Sequence, residues 1–131
     1  GNDKATVVTD TGVISDDILR RIDDTTLLVL EANYDPHMLR FGPYQPFLKQ
    51  RVASDEGHLS NEMAAQALLM MKRPNFMQVI LAHRSENNNN AVLVTQTIGK
   101  MLVDGGVRIG PEMKLQHGQP NEIVSIQSVK R

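Results

Sequence analysis

Three short apolar runs in this chain each end at a residue that can bind a metal or carry a proton. The runs are 5–9, 26–30 and 78–82, and the residues that follow them are Asp10, Glu31 and His83. The middle run is continuously apolar, which is typical of a strand covered on both faces in a parallel sheet. In open α/β sheets, ligands and catalytic groups collect at the carboxyl ends of the strands. We therefore expect Asp10, Glu31 and His83 to share such an edge.

Helical patterns alternate with these strands. Ser15 is placed to cap a short helix that ends near Ile22, and Ser60 to cap a longer helix that runs to about Lys72. A third helix is expected from about Asn88 to Val103, with Asn87 or Asn88 as its N-cap, and it ends at Gly105 and Gly106. The apolar residues of the last two helices recur at helical spacing, so each helix has one side suited to packing on a sheet.

Two stretches have weaker patterns. Residues 35–40 fit one or two helical turns and residues 47–53 fit a resumed helix, with prolines between them. We expect this part of the chain to be a surface excursion over the site. Near the C-terminus, residues 113–115 and 122–126 are expected to pair as terminal strands.

The alternation of strands and helices predicts an α/β fold with a mainly parallel sheet. Right-handed crossovers would place the helices on one face of that sheet. A chain of 131 residues suits a single domain, residues 1–131. The first strand has no glycine-rich loop and no metal-binding pair before it, so we expect the chain to be the second half of a larger fold.

Composition excludes several classes of protein. Fourteen basic residues against 15 acidic residues argue against a strongly basic nucleic-acid clamp, although a local basic patch remains compatible with them. The chain has no cysteine, so any metal must be held by His, Asp and Glu. No apolar run approaches about 18 residues and no export signal is found. These features favour a cytoplasmic protein that does not associate with a membrane.

Four short motifs, in this order, resemble the C-terminal half of the metallo-β-lactamase superfamily. They are TDTG at 9–12, LEAN at 30–33, GHLSN at 57–61 and LAHRSENN at 81–88. Within that superfamily they are most similar to YycJ/WalJ-type hydrolases, which resemble ribonuclease Z in turn. The resemblance covers nearly the whole chain. It implies half of an αββα sandwich, with a mainly parallel sheet and helices on one face.

The resemblance also implies two divalent metal ions, Zn or Mn, in the intact protein. By motif, Asp10 corresponds to the carboxylate that bridges both metals and His83 to a ligand of the second. Glu31 and His58 correspond to a pair that relays a proton to the leaving group. The family's first metal motif, H-x-H-x-D-H, and a further histidine ligand are absent, so we do not expect this chain alone to assemble the centre. Tyr34 stands where relatives usually carry a histidine.

Each assignment has a structural alternative. An Asp before Thr-Gly is typical of a turn, so Asp10 could be a turn former. His83 could be a hydrogen-bonded histidine at a strand end, and His58 with Glu31 could be a structural pair. Two basic residues, Lys49 and Arg51, are candidate contacts to a substrate phosphate, but a solvated helix face also explains them.

Two classes of function follow. In the first, the intact protein is a metal-dependent hydrolase, a phosphodiesterase or nuclease acting on DNA or RNA, and this chain is its C-terminal half and is inactive alone. In the second, the chain is a non-catalytic α/β module that pairs with a partner. Half of a sandwich leaves an apolar sheet face uncovered, so we expect a homo-oligomer or coverage by the missing half.

Overall fold

Four parallel strands form the sheet of the computed structural model, which describes residues 3–118. The strands are β1 (Ala5–Val8), β2 (Leu27–Glu31), β3 (Met77–Ala82) and β4 (Met113–His117). They lie in sequence order across the sheet, and each is parallel to its neighbour. The parallel α/β fold expected from the sequence is therefore confirmed, and the sheet is consistent with half of a metallo-β-lactamase sandwich.

Five helices lie in the connections between these strands. They are α1 (Asp16–Ile22), α2 (Pro36–Phe41), α3 (Pro46–Val52), α4 (Asn61–Met70) and α5 (Ala91–Asp104). The hydroxyl oxygens of Ser15 and Ser60 accept hydrogen bonds from the first turns of α1 and α4, as predicted. In the described part of the chain, no helix has both the length and the apolar character needed to cross a membrane.

The start of α5 differs from the prediction. Its N-cap is Asn90, whose side-chain oxygen accepts a hydrogen bond of 2.8 Å from the backbone N–H of Leu93. Asn88 and Asn89 are buried in the preceding loop, where the carbonyl of Asn88 accepts from the backbone N–H of Asp35. Because tertiary contacts engage these asparagines, the helix begins later than the sequence indicates.

The hydrophobic core lies between the helices and one face of the sheet. In the register of the sheet, Leu28 pairs with Val79 and Leu30 with Leu81. All four side chains are buried in one cluster with apolar residues of the helices, including Ile22, Leu68 and Ile98. The alternation of β3, where Gln78 is exposed between Met77 and Val79, shows that strand residues point to opposite faces.

The opposite face of the sheet carries an apolar row. The register places Val7, Val29 and Ile80 side by side across β1, β2 and β3. Val29 is buried, whereas Val7 is 55% exposed on the edge strand. This row forms the partly uncovered sheet face expected of half a sandwich.

Strand β4 forms the other edge of the sheet and runs parallel to β3. It includes the predicted strand at 113–115. The second predicted terminal strand, at 122–126, lies outside the described residues.

Gly12 fixes the loop that follows β1, and its substitution gives a test of the fold. A Cβ at Gly12 would lie 1.7 Å from the carbonyl oxygen of Ser54, so Gly12→Ala is expected to lower the free energy of unfolding by about 2 kcal/mol or more. The control is Gly99→Ala, because a Cβ inside α5 at Gly99 meets nothing closer than 3.9 Å. That variant should gain about 0.5–1 kcal/mol from the lower entropy of the unfolded chain. Urea unfolding measures both, and equal effects would contradict the packing described.

Candidate active site

Four of the predicted site residues come together at the carboxyl edge of the sheet. Asp10, Glu31 and His83 lie at or just beyond the ends of β1, β2 and β3. Each of these three side chains has one atom that could bind a metal, and the three atoms lie within 4.8 Å of one another. His58 joins them from the loop before α4, with its Nδ1 at 2.7 Å from the Glu31 carboxylate. Parallel strands in sequence order place these residues together despite their separation along the chain.

The carboxylate of Glu31 is the centre of this group. Its side chain is fully buried. Oε1 accepts from the backbone N–H of Asp10 at 2.9 Å and lies 3.1 Å from Nδ1 of His83. Oε2 accepts from the backbone N–H of Leu59 at 3.3 Å and lies 2.7 Å from Nδ1 of His58. A carboxylate offers about four acceptor positions. Since all four are used, Glu31 is better suited to orient its neighbours than to bind a metal itself.

The two histidines take a defined tautomer from this arrangement. An ionised carboxylate can only accept hydrogen bonds, so both imidazoles donate from Nδ1 to Glu31. Their Nε2 atoms are then left for another role. In metal sites, a histidine ligand is commonly oriented by a carboxylate bound to its second nitrogen. His83 is therefore fit to bind a metal through Nε2, and His58 to bind a metal or to carry a proton.

Asp10 differs from Glu31 in its exposure. Its side chain is 68% exposed, and Oδ1 lies 3.7 Å from Nδ1 of His83 and 3.9 Å from Nδ1 of His58. These distances are too long for hydrogen bonds. Its carboxylate oxygens are thus accessible to a cation, and carboxylate oxygen with imidazole nitrogen is a donor set that Zn and Mn accept. Asp10 and His83 fit part of a metal site, and a closed coordination shell needs further donors.

Backbone geometry singles out the same two residues. Within residues 3–118, three residues other than glycine have positive φ, and two of them are Asp10 at 59° and His83 at 55°. This left-handed conformation is uncommon for side chains with a Cβ, and such strain clusters at functional sites. The amide of Asn33 donates to the carbonyl of His83 at 2.6 Å and so holds this turn in place.

A cleft of about 400 Å³ opens beside the site. It is lined by Asp10, by Leu48, Arg51 and Val52 of α3, and by residues 56–58 of the loop that contains His58. Of the two candidate phosphate contacts, Arg51 therefore lines the cleft. Lys49 does not, because its Nζ donates to the carbonyl of Arg40 at 2.7 Å and joins α3 to α2.

Three asparagines hold the loops around the site together through hydrogen bonds, and the sequence analysis did not predict this role. Asn61 and Asn89 are buried and exchange amide hydrogen bonds of 2.9 and 2.8 Å. Asn89 also donates to the carbonyl of Ala32, directly after Glu31. With Asn33, this pair ties together the loops after β2, before α4 and after β3. Asn33 and Asn61 lie inside the motifs LEAN and GHLSN, and this position was the only indication in the sequence that they belong to the site.

Tyr34 lies beside this framework and is buried. Burial raises the pKa of its phenol, and the nearby carboxylate of Glu62 raises it further. Burial likewise raises the pKa of Glu62, with a contribution from Asp35. Tyr34 is therefore a neutral phenol at neutral pH.

Comparison with known proteins gives relatives of one kind. No family model matches the sequence, and no solved structure matches it. The chain is 34% identical over 128 residues to the exodeoxyribonuclease YycJ of Bacillus anthracis, which covers 98% of this chain and 48% of the relative. It is 35% identical over 121 residues to the exodeoxyribonuclease WalJ of Streptococcus pneumoniae, covering 92% of this chain and 45% of the relative.

The chain thus spans about half the length of the curated relatives it matches. Nearly all of it takes part in each match, and the parallel sheet is consistent with half of a metallo-β-lactamase sandwich. The chain is therefore homologous to the YycJ/WalJ exodeoxyribonucleases of the metallo-β-lactamase family, and it corresponds to their C-terminal half.

Proposed function

We propose that this chain is the C-terminal part of a metal-dependent phosphodiesterase that degrades DNA. The observation that carries the proposal is the position of Glu31, a buried carboxylate that holds Nδ1 of both His58 and His83 beside the exposed Asp10. The relatives named as exodeoxyribonucleases support DNA as the substrate.

In this proposal, Asp10 and His83 contribute to a site for two divalent metal ions, Zn or Mn. Such ions supply a nucleophilic hydroxide at neutral pH and neutralise charge on the phosphate. Asp10 is suited to hold a cation because its carboxylate is short and exposed, and His83 because Glu31 fixes its ring. The remaining ligands come from an N-terminal half that precedes these residues in the complete protein.

The second part of the proposal assigns His58 and Glu31 to departure of the leaving group. His58 lines the cleft, and its Nδ1 is held at 2.7 Å by Glu31. A protonated His58 can therefore donate from Nε2 to the oxygen of the departing strand, while Glu31 stabilises the imidazolium. In this proposal Arg51, which lines the same cleft, pairs with a phosphate of that strand.

The apolar row on the face of the sheet opposite the helices supports the proposal that this chain is one half of a larger fold. We propose that the N-terminal half covers Val7, Val29 and Ile80 in the complete protein. When the chain is produced alone, a second copy covers them instead, which gives a homo-oligomer. The alternative function, a non-catalytic module that pairs with a partner chain, uses the same face but requires no activity.

Comparison of the chain alone with the complete protein tests this proposal. The complete protein is expected to hydrolyse bis(p-nitrophenyl) phosphate after addition of Mn or Zn, and the chain alone to show no activity above that of the free metal. Light scattering at micromolar concentration should show the chain alone as an oligomer. A complete protein that binds neither metal nor phosphodiester would support the non-catalytic module, and a monomeric chain would contradict the uncovered sheet face.

A further inference from the structure

The segment that forms α2 and α3, residues 36–52, has an unusual composition for this chain. It contains three cations and no carboxylate, whereas the whole chain has slightly more acidic than basic residues. It also carries three of the five Phe and Tyr residues of the protein. These residues are Arg40, Lys49 and Arg51, with Phe41, Tyr44 and Phe47.

The two phenylalanines of this segment are exposed. Phe41 is 67% exposed and Phe47 is 66% exposed. Helix α3 buries none of its residues, and α2 buries Leu39 alone. Most Phe side chains lie in protein interiors, so two exposed rings on neighbouring helices indicate a surface that binds a partner.

The ring of Phe41 is in contact with two planar groups, the guanidinium of Arg40 and the imidazole of His37. The guanidinium carbon of Arg40 lies 5.4 Å from the centre of the Phe41 ring. The ring of His37 lies 4.7 Å from it, at an angle of 51°. This arrangement combines an aromatic ring with a cation within reach of the same ligand, as do surfaces that bind unpaired nucleotides.

The exposed rings continue into the candidate active site. Phe47 and Arg51 lie four residues apart on α3 and therefore share one face of that helix. Arg51 lines the cleft together with Asp10 and His58. The bond from Lys49 to the carbonyl of Arg40 joins α3 to the end of α2, next to Phe41.

We propose that the α2–α3 surface, defined by Arg40, Phe41, Phe47 and Arg51, binds an unpaired strand of DNA and leads it into the cleft. Bases stack on Phe41 and Phe47, and phosphates pair with the two arginines. Bases inside a duplex have no free face to offer, so the rings stack on bases that are unpaired or that are opened at the end of a duplex. This inference rests on the proposed function and adds to it the form of the substrate and the residues that hold it outside the reacting centre.

Binding of a fluorescein-labelled oligothymidylate of about 16 nucleotides to the complete protein tests this inference. EDTA is present to prevent cleavage, and anisotropy gives the dissociation constant. Phe41→Ala and Phe47→Ala are each expected to weaken binding about tenfold, with little change in its salt dependence. Arg40→Gln and Arg51→Gln are each expected to reduce the slope of log K against log salt by about 0.7. The control is Phe76→Ala, since Phe76 is 43% exposed but precedes β3 at the opposite end of the sheet.

A second measurement separates failure of this inference from failure of the proposed function. Hydrolysis of bis(p-nitrophenyl) phosphate needs the reacting centre but is too small to use the α2–α3 surface. The Phe variants should keep this activity and lose activity on single-stranded DNA through a higher KM. If the complete protein had no hydrolytic activity but the Phe variants lost DNA binding, the α2–α3 surface would be supported as a DNA-binding surface and the proposed phosphodiesterase activity would be contradicted.

Two outcomes would overturn the inference. One is unchanged binding of the oligonucleotide in the double variant Phe41→Ala/Phe47→Ala, with Arg51→Gln also unaffected. The other is a change in oligomeric state or folding of that double variant, because the rings would then belong to a protein interface. Phe47→Trp is a further control, because it keeps an aromatic ring at this position. It should bind the oligonucleotide tightly if stacking is the role of Phe47.

Discussion

Replacing Glu31 with glutamine is expected to lower the free energy of unfolding of this protein by about 2–4 kcal/mol. The carboxylate is fully buried and receives two backbone N–H groups and two imidazole Nδ1 groups. A glutamine side chain has the same shape, but its NH₂ group cannot accept. The two donors that face this NH₂ group, one backbone N–H and one imidazole Nδ1, then lose their acceptor, and a donor left without a partner in a buried site costs about 1–3 kcal/mol.

The same substitution releases the ring of His58 or His83, whichever faces the NH₂ group, because the remaining carbonyl oxygen accepts from the other ring only. The released ring can then change tautomer, so metal affinity of the complete protein should fall by about 10- to 100-fold, as is typical when a residue that orients a ligand is removed. Urea unfolding followed by circular dichroism measures stability, and titration with Zn or Mn measures affinity.

Glu56→Gln is the matched control for Glu31→Gln. Glu56 is exposed, so the same chemical change there should alter stability by less than about 0.5 kcal/mol. If Glu31→Gln were as stable as Glu56→Gln and bound metal as the unaltered protein does, Glu31 could not be the group that holds the site together.

Sequence reasoning located the strands and the chemistry at their ends because both signals are local. An apolar run and the polar residue that follows it are adjacent in the chain, so the placement of Asp10, Glu31 and His83 at one edge needed only the additional assumption of a parallel sheet. The caps at Ser15 and Ser60 are local for the same reason.

Contacts between distant loops were less predictable. Glu31 was assigned to His58, but it also lies 3.1 Å from His83, which is 52 residues away in the chain. The four consecutive asparagines are chemically equivalent in the sequence. Their separate roles, Asn89 paired with Asn61 and Asn90 as the cap of α5, depend on which tertiary partner each one meets. The sequence offered Lys49 and Arg51 alike as candidate phosphate contacts, and it could not show that Arg51 lines the cleft whereas Lys49 binds the carbonyl of Arg40.

In the proposed phosphodiesterase, Asp10→Asn and His58→Gln are expected to affect the hydrolysis of DNA and of bis(p-nitrophenyl) phosphate differently. Asp10→Asn should lower kcat/KM by about 1,000-fold or more on both DNA and bis(p-nitrophenyl) phosphate, because loss of the charge that holds a cation removes several kcal/mol of stabilisation from any phosphodiester reaction. His58→Gln should lower kcat/KM on DNA by about 100- to 10,000-fold. It should change hydrolysis of the nitrophenyl ester by less than about tenfold, because nitrophenolate leaves without a proton whereas the alkoxide of a DNA strand does not.

Matched controls separate these effects from misfolding. Asparagine tolerates the left-handed backbone that Asp10 adopts, so Asp10→Asn should fold. Asp24→Asn makes the same change at another residue with positive φ, far from the three strand ends that form the site, and should keep full activity. His117→Gln is the control for His58, since its Nε2 meets Thr95 rather than the cleft. Equal losses on both substrates for His58→Gln would place His58 with Asp10 in holding the metal and would remove the proton relay from the mechanism, because a relay acts only where the leaving group needs a proton.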